Sequence, residues 1–284
     1  MNKPRLILFG DSRRPMAADA LREFEDFIKD KAQIIANCLE GQCSADVLRS
    51  ADMAIVFGGD GTILGAARLL CETEVPVVGV NVGRLGFLAE FSLEQLKEQF
   101  ERIVSDKSLI EGRMILRCSL CRKDGQVNES TAVNDVVISA GAPFNMIELK
   151  MEVDGQSLAG CVGDGMIIST PTGSTAYNLS AGGPILSANL QAMVITPICP
   201  HSLSFRPIVI RSDSNLRIMP IRVNENTTLL LDGYVQHKLC PGDTIAVGKH
   251  SGRFLVVNNP LRTQWDALAG KLSWAEKPHY GGQS

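Results

Sequence analysis

Ile55-Val56-Phe57-Gly58-Gly59-Asp60-Gly61-Thr62 is the stretch on which the fold turns. An apolar strand empties into three glycines and one acid, and Ile63 to Leu70 then read as a helix. Glycine lets a backbone approach a ligand closely. The first amides of a helix, unpaired and partially positive, suit phosphate. An aspartate in the middle of such a cradle repels phosphate, unless it has a second task such as taking the proton of an alcohol that attacks phosphorus. A plain turn with Asp60 as the helix N-cap is the alternative, and taken alone the stretch favours it. The rest of the chain reverses that preference.

Upstream and downstream of this turn, strands alternate with helices. Arg5 to Phe9 is a short apolar strand, and Met16 to Lys31 has helical periodicity through Ala17, Leu21, Phe24, Phe27 and Ile28. Ile34–Ala36 and Val75–Val80 supply further strands. Ser92 to Val104 predicts an amphipathic helix, with Ser92 as N-cap, Gln95 completing a capping box, and Leu93, Leu96, Phe100 and Ile103 on one face. Alternation of this kind implies a parallel sheet covered on both faces, with ligands bound beyond the carboxyl ends of its strands. The Gly58–Thr62 turn lies at such an end.

From Met114 helical periodicity nearly vanishes and short alternating runs replace it. Lys123-Asp124-Gly125 and Val153-Asp154-Gly155 read as hairpin turns. Strands are expected over Ala132–Ser139, Met146–Glu152, Met166–Ser169, Ala192–Thr196, Arg206–Ile210, Leu216–Pro220, Thr228–Asp232 and Thr244–Val247, with a closing helix from Leu261 to Leu272. The division is therefore an α/β domain with a parallel sheet over 1–113, then a mostly antiparallel β-sandwich over 114–259.

With 284 residues the chain is long enough for two cores. A net charge of -3 provides no field of one sign for nucleic acid or an acidic membrane. No apolar run approaches the length of a bilayer span. Leu6–Phe9 is too short for a signal peptide's apolar stretch, so a cytoplasmic protein is expected. The eight cysteines, at 38, 43, 71, 118, 121, 161, 199 and 240, are scattered. Cys118 and Cys121 have C-x-x-C spacing, but a zinc site wants a second pair. Free thiols in a reducing compartment, and no bound metal, are the expectation.

Three more stretches carry chemistry. After Gly163-Asp164-Gly165 and an apolar strand comes Ser169-Thr170-Pro171-Thr172-Gly173-Ser174-Thr175-Ala176-Tyr177. Hydroxyls and amides at that density are an uncharged way to hold phosphate and ribose oxygens. Asn134-Asp135 interrupts an otherwise apolar strand; a ligand-facing pair and a bulge or edge strand account for it equally well. Three prolines stiffen the loop Thr196 to Pro207, where His201 reads as a scaffold residue. There is no G-x-x-x-x-G-K-[ST] loop, and Gly59 to Gly65 is one residue too long for G-x-G-x-x-G.

Together these motifs resemble the NAD kinase family, whose members transfer the γ-phosphoryl of ATP to the 2′-hydroxyl of the adenosine ribose of NAD. The resemblance runs in order through Gly58–Thr62, Asn81-Val82-Gly83-Arg84-Leu85-Gly86-Phe87-Leu88, Asn134-Asp135, Gly163-Asp164-Gly165, Ser169–Tyr177 and Cys199-Pro200-His201-Ser202-Leu203-Ser204. Gly-Gly-Asp-Gly alone is shared with lipid kinases of the diacylglycerol type and with phosphofructokinases. The Thr170–Tyr177 stretch and the Asn-Asp pair decide between them.

The resemblance implies that the C-terminal segment, 260–284, returns to the first domain. It implies Asp60 as proton acceptor with Gly61 beside it. It also implies nucleotide contacts at Asn134, Asp135, Asn145, Asp164, Thr172, Gly173, Ser174, Thr175, Ala176 and Tyr177, and a weaker one at Tyr234. Val162 stands where relatives often carry a basic residue, which leaves the choice between NAD and NADH open. Mg²⁺ is implied as the companion of ATP, and a homo-oligomer, dimer or tetramer, as the assembled form. A lipid or sugar kinase and a catalytically silent dinucleotide sensor are the competing readings.

Overall fold

The computed structural model describes residues 3–38, 43–83 and 86–272. The chain divides into two compact units: 1–111 with 255–284, and 112–254 between them.

In the first unit, β1 (Arg5–Gly10), α1 (Pro15–Ile28), β2 (Gln33–Cys38), α2 (Ala45–Ser50), β3 (Met53–Phe57), α3 (Asp60–Leu70), β4 (Val77–Val80) and α4 (Leu93–Ser105) follow one another. The four strands pair in parallel in the order β2-β1-β3-β4. Both faces are covered, so the strands read as continuous apolar runs; every residue of β3 and β4 is buried. Leu6, Leu8, Ile55, Phe57, Val78 and Val80 pack with Leu21, Phe24 and Ile28 of α1 and Leu96, Phe100 and Ile103 of α4. Gly79 alternates to the opposite face, where a Cβ would lie 2.5 Å from Ile63 Cδ1, so α3 covers that side. Pro15 fills the first turn of α1, where its missing N–H costs nothing. Ser92 and Gln95 form the expected capping box of α4. The chain order reverses between β1 and β3, which places the carboxyl end of β3 at the crevice where such sheets take their ligands.

The second unit contains β5 (Ile110–Cys121), β6 (Val127–Ala132), β7 (Asp135–Ser139), β8 (Ile147–Val153), β9 (Gln156–Gly163), β10 (Gly165–Ser169), the short helix α5 (Tyr177–Ser180), β11 (Ala192–Ile198), β12 (Ile208–Arg211), β13 (Leu216–Arg222), β14 (Thr228–Leu231) and β15 (Val235–Lys238). β16 (Thr244–Val257) and α6 (Gln264–Leu272) follow. One sheet, β12-β11-β10-β7-β14-β15, is antiparallel throughout. The other carries β13, β8 and β9, the start of β16, and the β5–β6 hairpin. Alternate residues of both sheets, among them Val136, Ile138, Met166, Ile168, Leu149, Met151, Leu216 and Ile218, form one buried cluster, the interior of a sandwich. β16 ends in the first unit, where Val256 pairs in parallel with Val77 of β4.

Three expectations change. The strand expected over Ala132–Ser139 breaks at Val133-Asn134, because the amides there serve a side chain instead of a ladder. β14 stops at Leu231, and Asp232 adopts a positive φ of 50°. Cys38 and Cys43 are joined by a disulfide, not free; the end of β2 and the approach to α2 bring their Cα atoms to 5.8 Å, within bridging range. Of the C-terminal segment, 273–284 lies outside the described residues. Among the described residues no helix is long and apolar enough to cross a membrane.

Phe24 is fully buried, with its ring 5.4 Å from that of Phe57 and 6.0 Å from that of Phe100. Phe24→Ala should lower the unfolding free energy by about 3–5 kcal/mol, read from urea midpoints at constant slope.

Candidate active site

Gly59, not Asp60, is the N-cap of α3, and Asp60 is its first helical residue. Nor does the carboxylate sit among the amides of its own turn. It reaches across to the segment that follows β4 and accepts the N–H of Phe87 at Oδ2 (3.0 Å) and those of Leu88 and Ala89 at Oδ1 (2.9 and 3.3 Å). Lys271 Nζ, from α6, lies 3.2 Å from Oδ2 and 4.3 Å from the centre of the Phe87 ring. Gly86 is required here: a Cβ on it would stand 2.0 Å from Asp60 Oδ1. That gives the glycine of the Asn81–Leu88 motif a physical reason; Arg84 and Leu85 of the motif lie outside the described residues. Burial pushes the Asp60 carboxyl up, but the amides of Phe87 and Leu88 and the Lys271 ammonium outweigh it. The net shift is below the ordinary aspartate value, and the group is ionised at neutral pH.

Gly61 follows Asp60 in α3, and the remaining predicted residues lie in the second unit, at two ends of β10. Ser169 pairs with Asp135 and Gly165 with Ser139, so the ends are roughly 14 Å apart at about 3.4 Å per residue. At the Ser169 end stand Asn134, Asp135, the turn from Thr172 to Tyr177, and the Asp232–Tyr234 turn, whose Asp232 N–H donates to the Asp135 carbonyl (3.0 Å). At the Gly165 end stand Val162, Asp164 and Asn145; the Asn145 carbonyl accepts from Asn224 Nδ2 (2.9 Å). The predicted set is therefore two groups.

Asp232 organises the first group. Its carboxylate accepts three successive backbone N–H groups, from Val133 (2.8 Å), Asn134 (2.7 Å) and Asp135 (3.1 Å). The break that sequence reading could assign only to a bulge or a ligand is thus a backbone cradle around a buried anion. Asp135 is itself buried, and burial together with the Asp232 charge raises its carboxyl to about 7.

The hydroxyl-rich loop is held by its own side chains. Thr170 Oγ1 donates to the Val133 carbonyl (2.6 Å) and accepts from the Gly173 N–H (3.0 Å). Ser174 Oγ donates to the Pro171 carbonyl (2.6 Å) and accepts from the Leu186 N–H (3.0 Å), and Ser169 Oγ donates to the Thr170 carbonyl (2.9 Å). Asn178, which sequence reading passed over, is fully buried and ties the loop to Ser174, Pro184 and Thr196. These three hydroxyls hold the loop together from within. A Cβ at Gly173 would stand 2.1 Å from the Asn134 carbonyl oxygen, so the glycine lets the two segments touch. Two side-chain atoms in this group, Asn134 Oδ1 and Thr172 Oγ1, are buried without a hydrogen-bond partner. Unpaired buried polar atoms are rare in folded proteins. Tyr177 and Tyr234 stand about half exposed beside them.

Residues 13–108 match the model of the ATP-NAD kinase N-terminal domain, and residues 133–259 that of the ATP-NAD kinase C-terminal domain. The chain belongs to the NAD kinase family. It is 42% identical over 232 residues to the NAD kinase of Geotalea daltonii, covering 82% of each chain. It is 35% identical over 272 residues to that of Rhodopirellula baltica, covering 96% of this chain and 87% of the relative. Among solved structures it is similar to yeast NADH kinase complexed with NADH (TM-score 0.89, 28% identity, 99% of this chain and 91% of that one). It is also similar to an NAD kinase from Archaeoglobus fulgidus in complex with ATP (TM-score 0.77, 25% identity, 95% and 98%). The family is one of ATP-dependent phosphotransferases.

Asp135 holds a proton in the native state that an ordinary aspartate, near 3.8, gives up on unfolding. From about pH 4 to about pH 7 the native state therefore binds more protons than the unfolded one, and stability falls as pH rises through that window. Asp135→Asn should flatten this fall and gain more stability at pH 7 than at pH 4.5, measured by urea unfolding at both pH values.

Proposed function

We propose that this chain transfers the γ-phosphoryl of ATP to the 2′-hydroxyl of the adenosine ribose of NAD, with Asp60 as the proton acceptor. The observation that carries the reading is an ionised, largely enclosed carboxylate at the carboxyl end of β3, in a chain of the NAD kinase family. A ribose hydroxyl hardly ionises at neutral pH, so a carboxylate within hydrogen-bond reach must take its proton as the bond to phosphorus forms. The rest of the acceleration comes from in-line alignment and from spreading charge over Mg²⁺ and amides. Mg²⁺ enters with ATP, since it prefers phosphate oxygens and water to a cage of side chains.

Asn134, Asp135, Thr172, Gly173, Ser174, Thr175, Ala176, Tyr177 and Tyr234 form one dinucleotide-recognition group, with Asn145, Val162 and Asp164 as a second. Within the first, the unpaired Oδ1 of Asn134 and Oγ1 of Thr172 favour contact with ligand hydroxyls or amides. Asp135, with its raised carboxyl, is suited to donate as well as accept. We further infer a cytoplasmic homo-oligomer, dimer or tetramer.

NADP formation from NAD and Mg-ATP, read through an NADP-specific dehydrogenase, tests the reading. Asp60→Asn should lower kcat by about a hundredfold to ten-thousandfold while NAD still binds. Wild type that binds NAD without turnover would point to a sensor, and absence of NAD binding to another phosphoryl acceptor. Thr172→Val, nearly isosteric, should raise KM for NAD by roughly three- to tenfold with kcat little changed.

A further inference from the structure

Asp60 faces a problem of capacity. An ionised carboxylate has about four lone-pair positions, and all four are taken: Oδ1 by Leu88 and Ala89, Oδ2 by Phe87 and Lys271. A substrate hydroxyl can hand its proton to Asp60 only if one donor withdraws. Three of the four are backbone amides of one short segment beside β4, where a Cβ on Gly79 would stand 2.4 Å from the Leu88 carbonyl. That segment is packed against β4 and tied to it by the Phe91 N–H on the Gly79 carbonyl (3.1 Å). Lys271 is the exception, a long flexible side chain 29% exposed to solvent.

We propose that Lys271 is the exchangeable fourth donor of Asp60 and a catalytic residue of phosphoryl transfer: the substrate hydroxyl displaces its ammonium from Oδ2, and the ammonium passes to the phosphoryl group in flight. This rests on the reading of Asp60 as proton acceptor. The 2′-oxygen forms its bond to the γ-phosphorus while the bond from that phosphorus to the β,γ-bridging oxygen breaks. The hydroxyl proton goes to Asp60 Oδ2, and the electron pair of the broken bond stays on the ADP formed. Lys271 gives up no proton; it moves charge. Once Asp60 becomes neutral, nothing draws the displaced ammonium back, just when the equatorial oxygens of the phosphoryl group need a cation. The Phe87 ring, 4.3 Å from Nζ, keeps the ammonium close while it is detached.

The experiment compares wild type, Lys271→Met and Lys271→Arg in NADP formation, with kcat, KM for Mg-ATP, the pH–rate profile and the melting temperature all measured. Lys271→Met should lose about a hundredfold in kcat, raise KM for Mg-ATP and leave the melting temperature unchanged. Lys271→Arg should recover part of the loss. The acid limb should also move to higher pH in the Met variant, because Lys271 is the charged residue acting on Asp60, and removing it makes the carboxylate easier to protonate. An unchanged kcat and acid limb would overturn the proposal, as would a rise in kcat, which would make Lys271 a mere cap. A loss that follows the melting temperature down and that arginine does not relieve would also overturn it. Wild type that makes no NADP would sink the underlying reading as well; active wild type with an unaltered Met variant sinks only this one.

Discussion

A carboxylate taken out of water must be given hydrogen-bond donors, and two aspartates impose that demand on this chain. Asp60 draws in the amides of Phe87, Leu88 and Ala89; Asp232 draws in those of Val133, Asn134 and Asp135. Each takes three consecutive N–H groups out of regular structure and fixes a bend that no ladder could hold. The bend after β4 requires Gly86, and the bend before β7 lies against Gly173. Of the residues proposed to act, Asp60 anchors one bend, and Asn134 and Asp135 stand on the other. An uncompensated buried charge costs several kcal/mol, so loosening either anchor removes the reason for the local backbone path.

This constraint also explains what could and could not be read from the sequence. The β1–β4 alternation, the capping box of α4 and the sandwich were legible because period, cap and turn residues are local signals. Asp60 was legible as an oddity, a negative charge where phosphate is expected. Its partners were not, since Phe87 is 27 positions away and Lys271 is 211 positions away. Asp232 read as the last residue of a strand, because a side chain that accepts amides 97 to 99 positions upstream leaves no local trace. The Cys38–Cys43 pairing was equally hidden among eight irregularly spaced cysteines.

The Ser169–Tyr177 loop shows that composition does not fix the direction of a hydroxyl. Hydroxyl density suggested a surface turned toward ligand, yet Ser169, Thr170 and Ser174 face inward and hold the loop to Val133, Pro171 and Leu186. The binding proposed for this loop, made without charge, gains from stiffness, since ordering a loop on binding consumes affinity. Its interior hydroxyls supply that stiffness, and Asn178 with Thr196 closes the network from behind. Beside this network stand two buried oxygens without a partner, Asn134 Oδ1 and Thr172 Oγ1, and two half-exposed tyrosines, Tyr177 and Tyr234.

The first unit is interrupted. The chain leaves it at Glu111 and returns at Leu255, and Asn258 binds back to Leu109 and Glu111 at the point of departure. During synthesis, therefore, the strand that borders β4 and the helix bearing Lys271 emerge only after the sandwich has been made. A ribosome stalled or a message truncated before the codon of Leu255 would release a sheet with an open edge, unpaired at β4 and prone to associate with other edges. It would also release Asp60 without its ammonium. The border of β4 and the ammonium beside Asp60 thus arrive together, after the whole of the second unit has been made.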